Sequence, residues 1–221
     1  MSRALDGPRR PPARGGKADA LVVLLHGYGA SGEDLIGLAD EWRRVLPGAV
    51  FVAPHAPERL PFAGAAGYQW FALTSMSPEE MARGVERAAP GLDAFIAAEL
   101  KRHGLAPSRL ALVGFSQGTM MALHLGLAMK TPPAAILGYS GVIAVPPTYD
   151  EALRGARPPV MLIHGEADEV IPVDALHMTR EALNQALVPV EWHVRPGLGH
   201  GIDAEGLAWG GGFLAEKLGR G

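Results

Sequence analysis

The run Leu21-Val22-Val23-Leu24-Leu25 offers no polar residue to water on either side. Side chains along a strand alternate between two faces, so an unbroken apolar strand must be covered on both, as inside a parallel sheet. Further strands are expected at Ala49–Ala53, Leu110–Val113, Ala134–Leu137, Val160–Ile163 and Val190–Val194. Helical stretches separate them. Ser31-Gly32-Glu33-Asp34 reads as the capped start of a helix that runs to about Leu46, where Pro47-Gly48 ends it. Ser77-Pro78-Glu79-Glu80 opens another, with a cap, a proline in the first turn and a reciprocal glutamate. It reaches about His103, with a break or kink expected at Pro90. Three more helices are expected at 117–129, 174–187 and 204–218. The alternation has no internal repeat. It predicts one α/β domain with a mostly parallel, doubly wound sheet and helices on both faces.

A chain of 221 residues suits a single domain. Residues 1–18, with Arg3, Arg9, Arg10 and Arg14 among prolines and glycines, read as a flexible basic arm ahead of a domain at 19–221. The net charge of −3 gives no reason to expect nucleic acid or an anionic membrane as partner. The absence of cysteine excludes disulfides, thiolate catalysis and Cys-ligated metals. No apolar core of a secretory signal follows the arginines, and no run approaches the ~20 apolar residues of a membrane span. A cytoplasmic protein without integral membrane association is expected; a homodimer is left open. Residues 54–76 hold Pro54, Pro57, Pro61, Gly64 and Gly67 and read as a long loop, a kind that is usually functional.

Gly114-Phe115-Ser116-Gln117-Gly118 stands where a buried strand meets an apolar helix. That context is the nucleophile elbow of α/β-hydrolases, a sharp turn that lifts the serine hydroxyl above the strand's carboxyl end. The plainer alternative is a serine capping an ordinary helix. A serine hydroxyl needs a base to take its proton and a carboxylate to orient that base, here in the chain order Ser, acid, His. His26, His55 and His103 precede Ser116, His124 follows too closely, His164 leaves no room for the acid, and His177 and His193 sit inside elements. His200, in the glycine-rich loop Pro196–Gly201 after the final strand, remains as the base. The loop after Val160–Ile163 offers Glu166, Asp168 and Glu169. Asp168 is preferred and Glu166 is its alternative, while Asp203 reads as the N-cap of the last helix. Backbone N–H groups of Gln117 and Tyr28 are the candidate oxyanion hole.

These residues resemble the carboxylesterase/phospholipase family of α/β-hydrolases that includes acyl-protein thioesterases. The matching stretches are Leu25–Gly29, Pro54–Pro57, Gly114–Gly118, His164-Gly165 with Asp168 and Pro172, and Gly199-His200, spanning residues 21–200. The resemblance implies an α/β-hydrolase fold and hydrolysis of small-molecule carboxylic esters or thioesters without a cofactor. No metal is expected, since the sequence has no His-x-x-x-His helix pair or Asp-rich calcium loop. It also implies a triad of Ser116, Asp168 and His200. One departure bears on substrate: many members carry Asp after the loop's Trp-aromatic pair, whereas this chain reads Gln69-Trp70-Phe71-Ala72.

The expected activity is a serine carboxylesterase for short- to medium-chain acyl or aryl esters, with lysophospholipids, thioesters and acylated proteins as alternatives. No lid-sized insertion interrupts the core, since about twenty residues join the strands at 134–137 and 160–163. Trp70, Phe71 and Leu73 are candidate substrate contacts and, with Leu60 and Phe62, would wall a shallow groove. Trp42 and Met120-Met121 read as core. Gly27-Tyr28-Gly29-Ala30-Ser31-Gly32 also fits a dinucleotide-binding G-x-G-x-x-G, but the next strand ends Ala53-Pro54-His55 without the acid that would hold a ribose. A ligand-binding hydrolase relative without activity is the remaining rival, and such proteins usually lose triad residues.

Overall fold

The computed structural model describes residues 4–61, 66–144 and 157–219. Its strands are β1 (Arg9–Arg10), β2 (Ala20–Leu25), β3 (Ala49–Val52), β4 (Glu58–Arg59), β5 (Tyr68–Gln69), β6 (Leu110–Phe115), β7 (Ala135–Tyr139), β8 (Val160–Gly165) and β9 (Val190–Arg195). The helices are α1 (Gly32–Ile36), α2 (Leu38–Trp42), α3 (Pro78–His103), α4 (Gln117–Ala128), α5 (Asp174–Gln185) and α6 (Ala204–Gly219). Seven strands form one sheet in the order β1-β3-β2-β6-β7-β8-β9, and β4 pairs with β5 apart from it. All neighbours in the large sheet are parallel except β1, which runs antiparallel to β3.

Alternation along β2 divides the core. Leu21, Val23 and Leu25 face α3, α4 and α5, where Val85, Leu92, Met120, Met121, Leu176 and Leu183 are buried. Val22 and Leu24 face α1, α2 and α6, represented by Ile36, Trp42, Phe213 and Leu214. Helix α4 is buried almost all round, as an apolar helix between sheet and outer helix must be. The chain leaves β2 toward β3 on one side and later returns to β6 on the other. The carboxyl ends of β2 and β6 therefore flank a crevice where loops from opposite directions meet.

Several expectations change. The arm is not loose over its described part: Arg9 and Arg10 pair with Val52 and Phe51, Ala53 N donates to Pro8 O, and His55 N donates to Asp6 O. The added strand was hidden because two arginines among prolines carry no apolar pattern. Its anchor is electrostatic: Arg9 Nη2 lies 2.9 Å from Glu99 Oε1 on α3, and Glu99 is buried. The helix expected to reach Leu46 is two five-residue helices joined at Gly37. Helix α3 runs unbroken through Pro90. Its cap also differs in detail. Ser77 Oγ accepts from Glu80 N as expected, but the Glu80 carboxylate reaches past Ser77 to Thr74, Ser75 and Met76. Those bonds, led by the Thr74 hydroxyl, hold the Glu80 carboxyl down at about 2.

Arg9→Ala leaves Glu99 buried without its principal partner, which costs on the order of 3 kcal/mol, the low end for a broken buried pair because Arg102 still lies 3.4 Å away. Urea unfolding is the check, and a loss below about 1 kcal/mol would show the arm to be incidental. Glu80 gives a pH signature. Its folded value is depressed, so its contribution is complete above the unfolded value near 4.5 and disappears as pH falls toward about 2. Wild type and Glu80→Gln should differ in denaturation midpoint at pH 7 and converge near pH 2.

Candidate active site

Ser116 links β6 to α4 with φ 55° and ψ −117°, a left-handed conformation that costs a non-glycine residue about 1–3 kcal/mol. Its surroundings hold it there. Ser116 N donates to Tyr139 O at 2.9 Å, and Ser116 O accepts from Thr119 N at 2.9 Å. Glycine at 118 is obligatory, because a Cβ there would lie 1.9 Å from Leu25 O. A Cβ on Gly27 would lie 3.1 Å from Ser116 Cβ, so the loop after β2 abuts the elbow directly.

Asp168 and His200 meet across two zippered loops. Glu166 N donates to Arg195 O and Ala167 N to Leu198 O, both at 2.9 Å, joining the turn after β8 to the loop after β9. Gly165 permits that approach, since its Cβ would lie 2.3 Å from Leu198 O and Gly199 O. Asp168 Oδ1 accepts from Val170 N and Ile171 N at 2.9 Å, while Oδ2 accepts from His200 Nδ1 at 2.8 Å. Burial pushes the Asp168 carboxyl up, but the His200 bond and the two N–H donors outweigh it, leaving the group below the ordinary carboxylate range. Glu166 turns away and accepts from Gly197 N at 3.1 Å. Asp203 caps α6 through Gly206 N and binds Arg195.

The His200 ring packs on Phe115 at 4.9 Å between centroids, which sets it beside the residue preceding Ser116. A donor role for Nδ1 toward Asp168 leaves Nε2 as the acceptor. No hydrogen bond joins Ser116 Oγ to His200 Nε2 among the described residues. Gln117 begins α4, so its N–H has no intrahelical acceptor. Tyr28 N–H has no backbone partner among the described residues, and its residue is exposed.

Trp70 and Phe71 are corrected as groove walls. Both are buried, at 1% and 0% exposure, because they fill the layer between α3, α4 and β2. Leu73 is only partly buried and packs at the edge of that layer, and Leu60 is also partly exposed; Phe62 lies outside the described residues. Three groups with roles here carried no such signal in the sequence. The Gln117 side chain accepts from Trp70 N at 2.9 Å and donates to Phe71 O at 2.7 Å, clamping the loop after β5 to the elbow. His26, fully buried, has Nδ1 2.8 Å from Gly27 O, and its Nε2 accepts from Ala56 N at 2.9 Å. Since a carbonyl only accepts, the proton sits on Nδ1; burial lowers the His26 pKa and keeps the ring neutral. His164 lies beside Asp168. Chain order had set His26 and His164 aside, and no residue pattern announces the Gln117 clamp.

The profile of the phospholipase/carboxylesterase family matches residues 12–216. The crystal structure of esterase PE8 is 41% identical, covers 98% of this chain and all of its own, and superposes with a TM-score of 0.90. Acyl-protein thioesterase 1 of Yarrowia lipolytica is 30% identical over 86% of this chain and 88% of its own. The protein of that name from Gibberella zeae is 28% identical over 90% and 91%.

Gln117→Leu strands Trp70 N and Phe71 O without partners in the core. A stability loss of about 2–4 kcal/mol is expected in urea, from two unmet buried groups. The backbone N–H of residue 117 survives, so turnover of the folded variant should fall less than the ~10²-fold of a deleted oxyanion donor. Unchanged stability would show that the clamp is dispensable.

Proposed function

The chain belongs to the phospholipase/carboxylesterase family of α/β-hydrolases, and from that premise we propose that it is a serine carboxylesterase for short- to medium-chain acyl or aryl esters. The observation that carries this reading is the 2.8 Å bond between His200 Nδ1 and Asp168 Oδ2, held beside the strained turn at Ser116. With Nδ1–H given to Asp168, His200 Nε2 takes the proton of Ser116 Oγ as that oxygen attacks the ester carbonyl. The carbonyl oxygen gains negative charge and receives hydrogen bonds from the N–H groups of Tyr28 and Gln117. Collapse of the tetrahedral intermediate breaks the bond to the leaving oxygen, which takes the proton from His200. Water then repeats the sequence on the acyl-enzyme and frees the acid and Ser116.

No helix among the described residues is long and apolar enough to cross a membrane. The roughly twenty residues that the sequence allots between β7 and β8, too few for a lid-sized insertion, and the partial exposure of Leu60 and Leu73 favour an open groove over a lidded tunnel. Each methylene received by such a groove adds up to ~0.8 kcal/mol until the apolar wall ends. A thioester or acylated protein is the second reading, favoured by the names of the relatives, and Ala72 counts against transferring it directly.

A fluorophosphonate probe should label Ser116 alone, and Ser116→Ala should lose labelling and on the order of 10⁶ in turnover. With 4-nitrophenyl esters, kcat/KM should climb over the first few carbons and then level or fall. Undiminished hydrolysis by Ser116→Ala would end the serine-esterase reading; a steady rise to sixteen-carbon chains would end the open-groove part of it.

A further inference from the structure

The layer of the sheet that faces α5 is apolar except at one point. Leu162 and His164 alternate onto that side of β8, and His164 is buried with 1% of its side chain exposed. A buried imidazole is costly unless it is hydrogen-bonded, and a leucine would continue the layer at no such cost. Among the described residues, both polar contacts of His164 go to the acid turn. Nε2 lies 2.8 Å from Ile171 O and 3.3 Å from Asp168 Oδ2. A carbonyl oxygen only accepts, so Nε2 carries a proton and directs it into this pair of oxygens.

The contact closes a ring of bonds around the carboxylate. Ile171 N donates to Asp168 Oδ1, while Ile171 O accepts from His164. Asp168 Oδ1 is fixed by two backbone N–H groups, and Oδ2 stands between two imidazoles, His200 at 2.8 Å and His164 at 3.3 Å. His200 belongs to the loop after β9, whereas His164 is set in β8, a strand paired in parallel on both sides.

We propose that His164 is a positioning residue for catalysis: from β8 it holds the 168–171 turn and the Asp168 carboxylate in the orientation that aims His200 at Ser116. The proposal rests on the serine-esterase reading. It takes no part in proton transfer, and its effect is on the geometry of the relay. Misplacement of a catalytic group by about 1 Å costs on the order of 10²-fold, which sets the expected scale.

The test compares His164→Leu with His164→Gln, whose side-chain amide can set an N–H near the position of Nε2, each alone and with Asp168→Asn. His164→Leu should lower kcat about 10- to 100-fold with KM changed by less than about threefold, and His164→Gln should recover most of the loss. In the Asp168→Asn background, His164→Leu should cost less than about threefold more, because the group it positions has been altered. A wild-type kcat in His164→Leu overturns the proposal. So does an undiminished penalty beside Asp168→Asn, or a Gln variant as poor as Leu, since either marks a packing role alone. If the Leu variant fails to fold, His164→Asn, whose amide is too short to reach, replaces it in the comparison with Gln. Ser116→Ala is run alongside: if it stays active, the esterase reading has failed, whereas an inactive Ser116→Ala beside an unimpaired His164→Leu defeats this proposal alone.

Discussion

Helix α4 enters the sheet at a distance that only glycine permits. With a Cβ at position 118 placed 1.9 Å from Leu25 O, any other residue would push the helix off the carboxyl end of β2. That approach fixes the relation between two adjacent strands, β2 and β6, at the point where the sheet reverses its order of assembly. The loop after β2 and the turn after β6 are thereby pressed together, and Gly27 and Ser116, from distant parts of the chain, share one crevice. The left-handed Ser116 follows from the same constraint, because the chain must double back at once to begin α4 where it does. Its strain is offset by the bonds to Tyr139 and Thr119, which the apolar packing of α4 keeps in place.

How much of this the sequence discloses depends on the range of the interaction concerned. Buried strands and long helices were legible because local alternation and caps report them, and their bounds differ from the structure by only one or two residues. Ser116, Asp168 and His200 could be proposed together because chain order and loop position restrict the choice, and the structure brings Asp168 and His200 within 2.8 Å of each other. What failed to show was tertiary. Strand β1 exists because Arg9 finds Glu99 ninety residues away, and nothing near Arg9 in the chain anticipates that. Trp70 and Phe71 sit in a stretch rich in breakers, which suggested a surface loop, yet the Gln117 amide ties their backbone down and Gly84 makes room for the Phe71 ring. The small strand pair β4–β5 escaped notice for the same reason, being two residues on each side.

The G-x-G-x-x-G string at 27–32 shows how one pattern can satisfy another geometry. Each glycine has a separate steric reason. Gly27 lies against Phe115 and Ser116, Gly29 takes a φ of +80°, and a Cβ on Gly32 would lie 1.9 Å from Ala53 O. These demands come from the elbow, from a turn and from β3, not from a pyrophosphate. The helix that follows has five residues. His26 then braces the loop from inside, joining Gly27 O to Ala56 N through a neutral ring while its own carbonyl accepts from Trp70 Nε1 at 2.9 Å. A loop held at this many points fixes the direction of the Tyr28 N–H, the property the proposed role in an oxyanion hole would need.

The choice of aspartate over the neighbouring glutamate has a physical basis in side-chain length. A carboxylate that orients an imidazole must itself be held, and the nearest donors are the N–H groups of its own turn. Asp168 is short enough to fold back onto Val170 N and Ile171 N with one oxygen, in the manner of an Asx turn, leaving the other oxygen for His200. That division gives one oxygen to the backbone of its own turn and turns the other toward the imidazoles of His200 and His164, which fixes the carboxylate plane. A glutamate in the same place carries one more rotatable bond, and its oxygens overshoot the N–H groups two and three residues ahead. Glu166 illustrates the result: its carboxylate extends outward to Gly197 N on the next loop. There it ties the His200 loop to the turn after β8 from outside, while Asp168 binds His200 itself from within.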